Sequence, residues 1–396
     1  MAQPSILIVN AGSSSLKFAL FRAVAKLDRL LTGRIERIGQ PDAVLRIVYP
    51  ADERLAELRL MIHDHAAAVP YLLEQMAQLD IRIVAVGHRI VHGGVQFRAP
   101  QTLTEETIEA LTHLCALSPE HMPAALSVIA ALRRTYSQVP HVACFDTAFH
   151  GELPKEAARL PIPRRYEEKG VRRFGFHGLS YAYLMEELGR VAGPEAAAGR
   201  VVLAHLGHGA SMAAVRAGRC IDTTMALTPA SGLVMGTRSG DLDPGLGAYL
   251  FRTEGMSPER FYRMTHAESG LLGVSETSGD VRDLLSAETS DVRAAEALAL
   301  FCYQAKKWIG ALAAVLGGID TLVFSGGIGE NAGPIRARIC EGLAFLGISL
   351  DQRANLENAA ILSSSDSPVT VRMLRTDEEL YIARTVNRLL PGGPPV

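Results

Sequence analysis

The opening stretch "ILIVNAGSSSLKF", residues 6–18, sets an apolar run against a small-residue loop and a second run. In that second run Leu16, Phe18 and Leu20 alternate with Lys17 and Ala19, a period of two that predicts strand, turn, strand. The loop lacks the G-x-x-x-x-G-K-[ST] spacing that carries a strand into a helix. The same pattern returns in "VVLAHLGHGASMAAV", residues 201–215. Setting His205 on Asn10 places Gly207 on Gly12 and Ser211 on Leu16, an offset of 195 in a chain of 396 residues. A single glycine turn says little; two at half-chain spacing predict a duplicated domain with one such hairpin in each half. In a third stretch, "TLVFSGGIGEN" at 321–331, a β-branched run ends at Gly326–Gly327. A helical pattern follows, "PIRARICEGLAFLG", with Pro near its start and Gly after its end. Free N–H groups before a helix attract anions. Each loop alone reads as a tight turn; the three together predict a nucleotide between two domains.

Elsewhere strand-like and helix-like patterns alternate, which predicts an α/β protein. "RIVAVGHRIVHGG" and "HVACFDTAFHG" run from strand to loop, and ligands of α/β folds sit at the carboxyl ends of strands. The apolar stretch Ala294–Ile319 is interrupted by Lys306 and Lys307 and predicts a buried helix, not a membrane span. "ELYIARTVNRLL" predicts an amphipathic helix. "SSSDSP" at 363–368 predicts a surface loop, and the final "PGGPPV" a frayed tail. The length suits two domains. Lys plus Arg is 40 and Asp plus Glu 42, so neither a nucleic-acid footprint nor an electrostatic membrane anchor is expected. Five scattered cysteines without a C-x-x-C argue against a disulfide framework or a zinc site and fit a cytoplasmic protein. No basic segment followed by an apolar one opens the sequence, so no signal peptide is expected.

Several charged residues sit beside glycines or strand ends, where functional groups concentrate. Arg89 and His92 lie in "GHRIVHGG", Asp146 and His150 in "FDTAFH", His177 in "RRFGFHGLS", Asp280 and Arg282 in "SGDVRD". Arg238, Asp241 and Asp243 crowd into "MGTRSGDLDPG", too polar for a core strand and too rigid for a linker. His63, His65, His113, His141 and His266 lack such a setting and read as structural.

These segments resemble the acetate kinase family, within the superfamily of sugar kinases and actin. The resemblance rests on "NAGSSSLKF", "GHRIVHGG", "FDTAFH", "GFHG", "HLGHGAS", "GTRSGDLDP", "SGLLGVS" with "DVRD", "GGIGEN" and "TDEEL", in family order from residue 6 to residue 382. It implies an α/β fold of two duplicated domains of the actin/sugar-kinase type, mixed sheets flanked by helices, with the active site in the interdomain cleft. Residues 1–149 with 380–396 would form the first domain and 150–379 the second, nucleotide-binding one. The implied reaction is reversible phosphoryl transfer from ATP to a short-chain carboxylate, acetate or propionate, by a homodimer that closes to exclude water. It assigns Arg89, Asp146, His177 and Arg238 to catalysis. Arg89 also falls to substrate binding, with Val91, Glu120, Phe176 and Pro229. The nucleotide would meet Lys17, His205 to Gly209 (with Leu206, Gly207 and His208), Asp280, Val281, Arg282, and Gly327, Ile328, Gly329, Glu330 and Asn331. Asn10 and Glu378 would hold Mg²⁺, with Mn²⁺ as the alternative ion.

Chemistry supports those residue types. Phosphoryl transfer needs charge neutralisation and positioning more than covalent help, and guanidinium forks suit carboxylate and phosphoryl oxygens. A carboxylate substrate is already ionised at pH 7, so Asp146 has no proton to remove and is expected to orient an arginine or a water. Three departures from the family pattern stand out: "GHGAS" for "GNGAS", "FHGLSY" for "FHGTSH", and "PEHMP" for "PLHNP". The last puts Glu120 where an apolar pocket residue is expected. Its carboxylate would turn to solvent or bond a polar substrate tail, and either outcome predicts that acetate is not the best substrate. Propionate or butyrate kinases are the rival in the same class. A non-catalytic actin-like ATP-binding protein is the rival of another class, and it would not need Arg89, His177 and Arg238.

Overall fold

A computed structural model describes residues 2–24, 27–50 and 54–390; the expected frayed tail lies outside them. The chain separates into two compact units, residues up to Gly151 with those from Asp377 onward, and Glu152–Thr376.

The first unit holds β1 (Gln3–Ala11), β2 (Ser15–Arg22), β3 (Asp28–Glu36), β4 (Ala43–Tyr49), β5 (Arg54–Leu60), β6 (Ile81–Ile90), β7 (Gln101–Thr102) and β8 (His141–Phe145). Among the described residues they form one sheet in the order β5-β4-β3-β2-β1-β6-β8-β7. β1, β6 and β8 are parallel; the other pairings are antiparallel. The opening motif is the β1–β2 hairpin, closed by Gly12 N–H donating to the Ser15 carbonyl at 2.8 Å. Helices His65–Ala77 and Met122–Thr135 pack together. Helix Glu378–Leu389 covers β1 and β6. It lies close because residue 87 is glycine: a Cβ there would come within 2.9 Å of Ile8, Ile382 and Val386.

The second unit holds β9 (Arg200–Leu206), β10 (Ala210–Arg216), β11 (Arg219–Thr223), β12 (Thr321–Ser325) and β13 (Thr370–Met373), ordered β11-β10-β9-β12-β13. β9, β12 and β13 are parallel, and β10 and β11 antiparallel. β3-β2-β1-β6-β8 repeats this order and these directions, so the duplication read from two glycine loops extends to five strands of each sheet. The hairpins differ by one residue: four residues separate the paired Ala11 and Leu16, and three separate Leu206 and Ala210.

The apolar stretch forms helix Val292–Leu316, started by Asp291 and stopped by Gly317 in the left-handed region. The third loop differs from expectation. Gly326–Asn331 is itself a short helix, because Glu330 folds back to accept from Gly326 N–H at 3.0 Å. The next helix, Gly333–Cys340, starts with Pro334 as expected but stops well before Gly347. Gly342 turns the chain at φ 77°, and Gly347 ends only a short 3₁₀ turn. No helix among the described residues is long and apolar enough to cross a membrane.

Candidate active site

In the first unit, strand register brings distant residues into a row. Asn10 on β1 pairs with Lys17 on β2 and with Arg89 on β6. Asp146 follows β8, its N–H held by the Ile90 carbonyl at 2.9 Å. Arg89 forks onto Asp146, Nε to Oδ1 at 3.0 Å and Nη2 to Oδ2 at 2.5 Å, while Nη1 donates to Asn10 Oδ1 at 3.0 Å. Glu378, at the N-terminus of its helix, brings a carboxylate oxygen 3.7 Å from Arg89 Nε. That helix start is fixed by Asp377, which accepts from Leu380 N–H and binds Arg29 at 2.5 and 2.6 Å.

Asp146 is 1 % exposed. Burial pushes its carboxyl up to about 6 against the pull of Arg89, and Glu378 adds to the rise. Burial opposes the Arg89 charge, but Asp146 and Glu378 hold the guanidinium above its ordinary value. The fork is therefore charged at neutral pH and oriented by its partners. Asn10 and Glu378 supply one amide and one carboxylate oxygen. Such a sparse, hard donor set fits Mg²⁺, which keeps several waters and binds mainly through substrate phosphates. Among the described residues no cluster of three or more acidic, His or Cys side chains would hold a metal by itself. Val91 is buried, while Glu120 is exposed in the turn before the fully buried Met122. Solvent thus takes the Glu120 carboxylate, the first of its two expected placements.

In the second unit, the β9–β10 loop is central. Gly209 lies against two side-chain nitrogens: a Cβ there would lie 3.3 Å from His177 Nε2 and 3.5 Å from Arg238 Nη1. Arg238 is steadied by the Pro229 carbonyl at 3.0 Å. Phe176, buried, precedes His177. Beside them a cavity of about 670 Å³ is lined by Gly207, His208, Asp280, Val281, Arg282, Gly327, Ile328 and Asn331, among others. Asp280 caps the following helix and pairs with Arg282 at 2.6 Å, which lowers its pKa. His208 lies over Gly236, where a Cβ would not fit beside its ring. Burial, then Arg238, hold its pKa below the ordinary value, and Asp280 opposes them.

Some sequence-derived residues stand outside the cavity wall. Leu206 and Gly329 are buried behind it. Glu330 spends its carboxylate on backbone N–H groups, of Gly326 and of Thr376 at 3.2 Å. His205 packs its ring on His177 with centroids 4.6 Å apart. The cavity also includes Leu285 and Ala332, which no motif flagged, and Pro334, expected only as a helix start. Two further contacts escaped the sequence. Ser211 Oγ lies 2.9 Å from His177 Nδ1. His65, read as structural, hydrogen-bonds the Gly12 carbonyl of the first hairpin at 2.8 Å.

Comparison with known proteins adds to this geometry. The family model described as the acetokinase family matches residues 5–384. The chain is 45% identical to an acetate kinase of Rhodopseudomonas palustris, covering 98% of this chain and 99% of that one. It is 42% identical to a propionate kinase of Citrobacter freundii, covering 97% and 96%. A crystal structure of Porphyromonas gingivalis acetate kinase superposes with a TM-score of 0.88 at 36% identity, covering 96% of this chain and 98% of that one. A propionate kinase structure from Francisella tularensis superposes at 0.91 and 34%, with the same coverage.

Proposed function

The chain belongs to the acetokinase family, and on that premise we infer how its residues divide the work of an ATP-dependent kinase acting on a carboxylate. The acceptor we assign is a short-chain carboxylate, acetate or propionate, since both acetate and propionate kinases are similar over nearly the whole chain; with Glu120 in solvent, propionate is expected to serve at least as well as acetate. The observation that carries the reading is the pair of nitrogens over Gly209, His177 Nε2 and Arg238 Nη1. An imidazole and a guanidinium beside one small space suit the equatorial oxygens of a phosphoryl group in flight, where preorganised charge lowers the barrier most. Arg89, forked by Asp146, supplies a planar cation for the carboxylate or the phosphoryl group.

The 670 Å³ cavity is ample for a nucleoside, and Lys17 carries a compact charge for the phosphates. Asn10 and Glu378 would hold Mg²⁺, which neutralises phosphate charge when bound. Asp146 keeps Arg89 in place and takes no proton from substrate. Val91, Phe176 and Pro229 keep an apolar character suited to a short alkyl chain. We assign the protein to the cytoplasm as a homodimer; sedimentation of the purified protein checks the second point.

The deciding experiment traps acyl phosphate with hydroxylamine, using ATP, Mg²⁺ and carboxylates from acetate to butyrate. Hydroxamate with acetate or propionate is expected. ATP binding without hydroxamate for any acid would sink the reading and favour a non-catalytic ATP-binding protein.

A further inference from the structure

Tyr181 and Ser211 have no part in the reaction as derived so far, yet both are fully buried beside His177. Tyr181 lies on the first turn of helix Gly178–Ala192 and Ser211 on β10. Ser211 Oγ is 2.9 Å from His177 Nδ1 and is also hydrogen-bonded to the Tyr181 hydroxyl. The His177 ring is held on other sides as well. Its backbone sits in the left-handed region at φ 58°, ahead of the helix, and its ring packs on His205. Tyr181 in turn meets His205 edge-on, with centroids 6.5 Å apart and planes at 82°. With the ring wedged, what remains to be set is which nitrogen bears the proton.

A neutral imidazole has one N–H, and the bond made by one nitrogen decides the state of the other. Burial raises the Tyr181 phenol above its ordinary value, so it stays an O–H donor. When that proton points at Ser211 Oγ, the serine's own proton is left for His177 Nδ1. Nδ1 then accepts, and the ring proton resides on Nε2, the nitrogen facing Gly209 beside Arg238. With the order reversed, an Nε2 lone pair would face anionic phosphoryl oxygens and repel them.

We propose that Tyr181 and Ser211 are positioning residues that hold neutral His177 in its Nε2–H tautomer, so that it meets the transferring phosphoryl group as a hydrogen-bond donor. The proposal rests on the reading of His177 given above, and no proton is transferred along the chain.

The test joins kinetics to a side-chain ¹H–¹⁵N correlation spectrum of the ¹⁵N-histidine protein with ADP and Mg²⁺, the His177 signals being assigned by their loss in His177→Ala. The native protein is expected to show an Nε2–H pattern at His177, and Tyr181→Phe a mixture of tautomers. In Tyr181→Phe, kcat should fall by about 3- to 10-fold, the scale of one neutral hydrogen bond, with KM for ATP and carboxylate unchanged. Ser211→Ala should fall at least as far, and the double variant no further than Ser211→Ala, as expected for one chain of contacts. If Tyr181→Phe does not fold, the Ser211→Ala spectrum reads the same tautomer. An Nδ1–H or imidazolium pattern in the native protein overturns the proposal, and so does a Tyr181→Phe protein with native kcat or an unmixed spectrum. Near-native kcat in His177→Ala would instead remove the premise, which keeps the two failures apart.

Discussion

Asp146 is a buried carboxylate that has to stay charged to hold Arg89. With its carboxyl pushed up to about 6, acidification through that value takes away half of the fork. An acid limb near pH 6 is therefore expected in kcat/KM. Asp146→Asn should lose the limb and run about 10- to 100-fold slower, the scale of one charge-assisted hydrogen bond; a limb that persists in Asp146→Asn would assign it elsewhere. The limb is not acid unfolding. A carboxyl raised above its unfolded value of about 3.9 binds its proton more tightly in the fold, so this group adds stability as pH falls from about 6 to about 4. The melting temperature followed over that range separates the two. His208 makes the opposite case. Held below its ordinary value by burial and Arg238, it is neutral at pH 7 and charges only in acid. Calorimetric nucleotide affinity should then rise toward low pH in the native protein and not in His208→Asn. An identical pH profile in both would exclude contact with a phosphate. Motif resemblance picked out residues as far apart as Asn10 and Glu378, while the contacts of Ser211 and His65 went unseen. Their contacts join positions 34 and 53 residues apart, and no spacing rule reports a hydrogen bond across such a gap.

Elements were legible where the pattern was long. The apolar stretch Ala294–Ile319 became helix Val292–Leu316, with an Asp and a Gly at its ends. Short pieces were harder, because a single side-chain contact can decide them: Glu330, by bonding Gly326 N–H, turns an expected loop into a helix. Exposed edges were harder still. β5, R-L-A-E-L-R-L, leaves Leu55 and Leu58 exposed and carries no sustained apolar alternation to read. Gly87 matters to its element for what it lacks. Gly87→Ala would drive a methyl group into Ile8, Ile382 and Val386, and overpacking of this kind costs about 1–3 kcal/mol. Urea unfolding should register a loss of that size, with kcat falling in addition if Glu378 shifts with its helix. A variant as stable as the native protein would mean that the helix can lift away freely.

Across the whole molecule, two glycine hairpins at half-chain spacing disclosed a duplication that runs through five strands of each sheet. What they could not disclose is the asymmetry, since β4 and β5 at one edge and β7 at the other extend the first sheet alone. The first unit is built from two separate lengths of chain. Ile382, Ala383 and Val386 are fully buried on it, and Asp377 binds Arg29. Ending the chain after Thr376 should forfeit about 3–6 kcal/mol from Ile382 and Val386 alone. The truncated protein is expected to lose the cooperative unfolding of that unit in calorimetry; an unaltered transition would show that the helix is dispensable. The order of synthesis gives this arrangement a further meaning. β1 and β6 are made early, but the helix that covers them is encoded some 226 residues past Gly151. At about 5–20 residues per second, the nascent sheet waits roughly 10–45 s for its cover. The intervening unit, continuous in sequence, can mature in that interval. A growing chain on the ribosome therefore carries one finished body and one with an oily flank, which makes it a client for whatever shields apolar surface during translation.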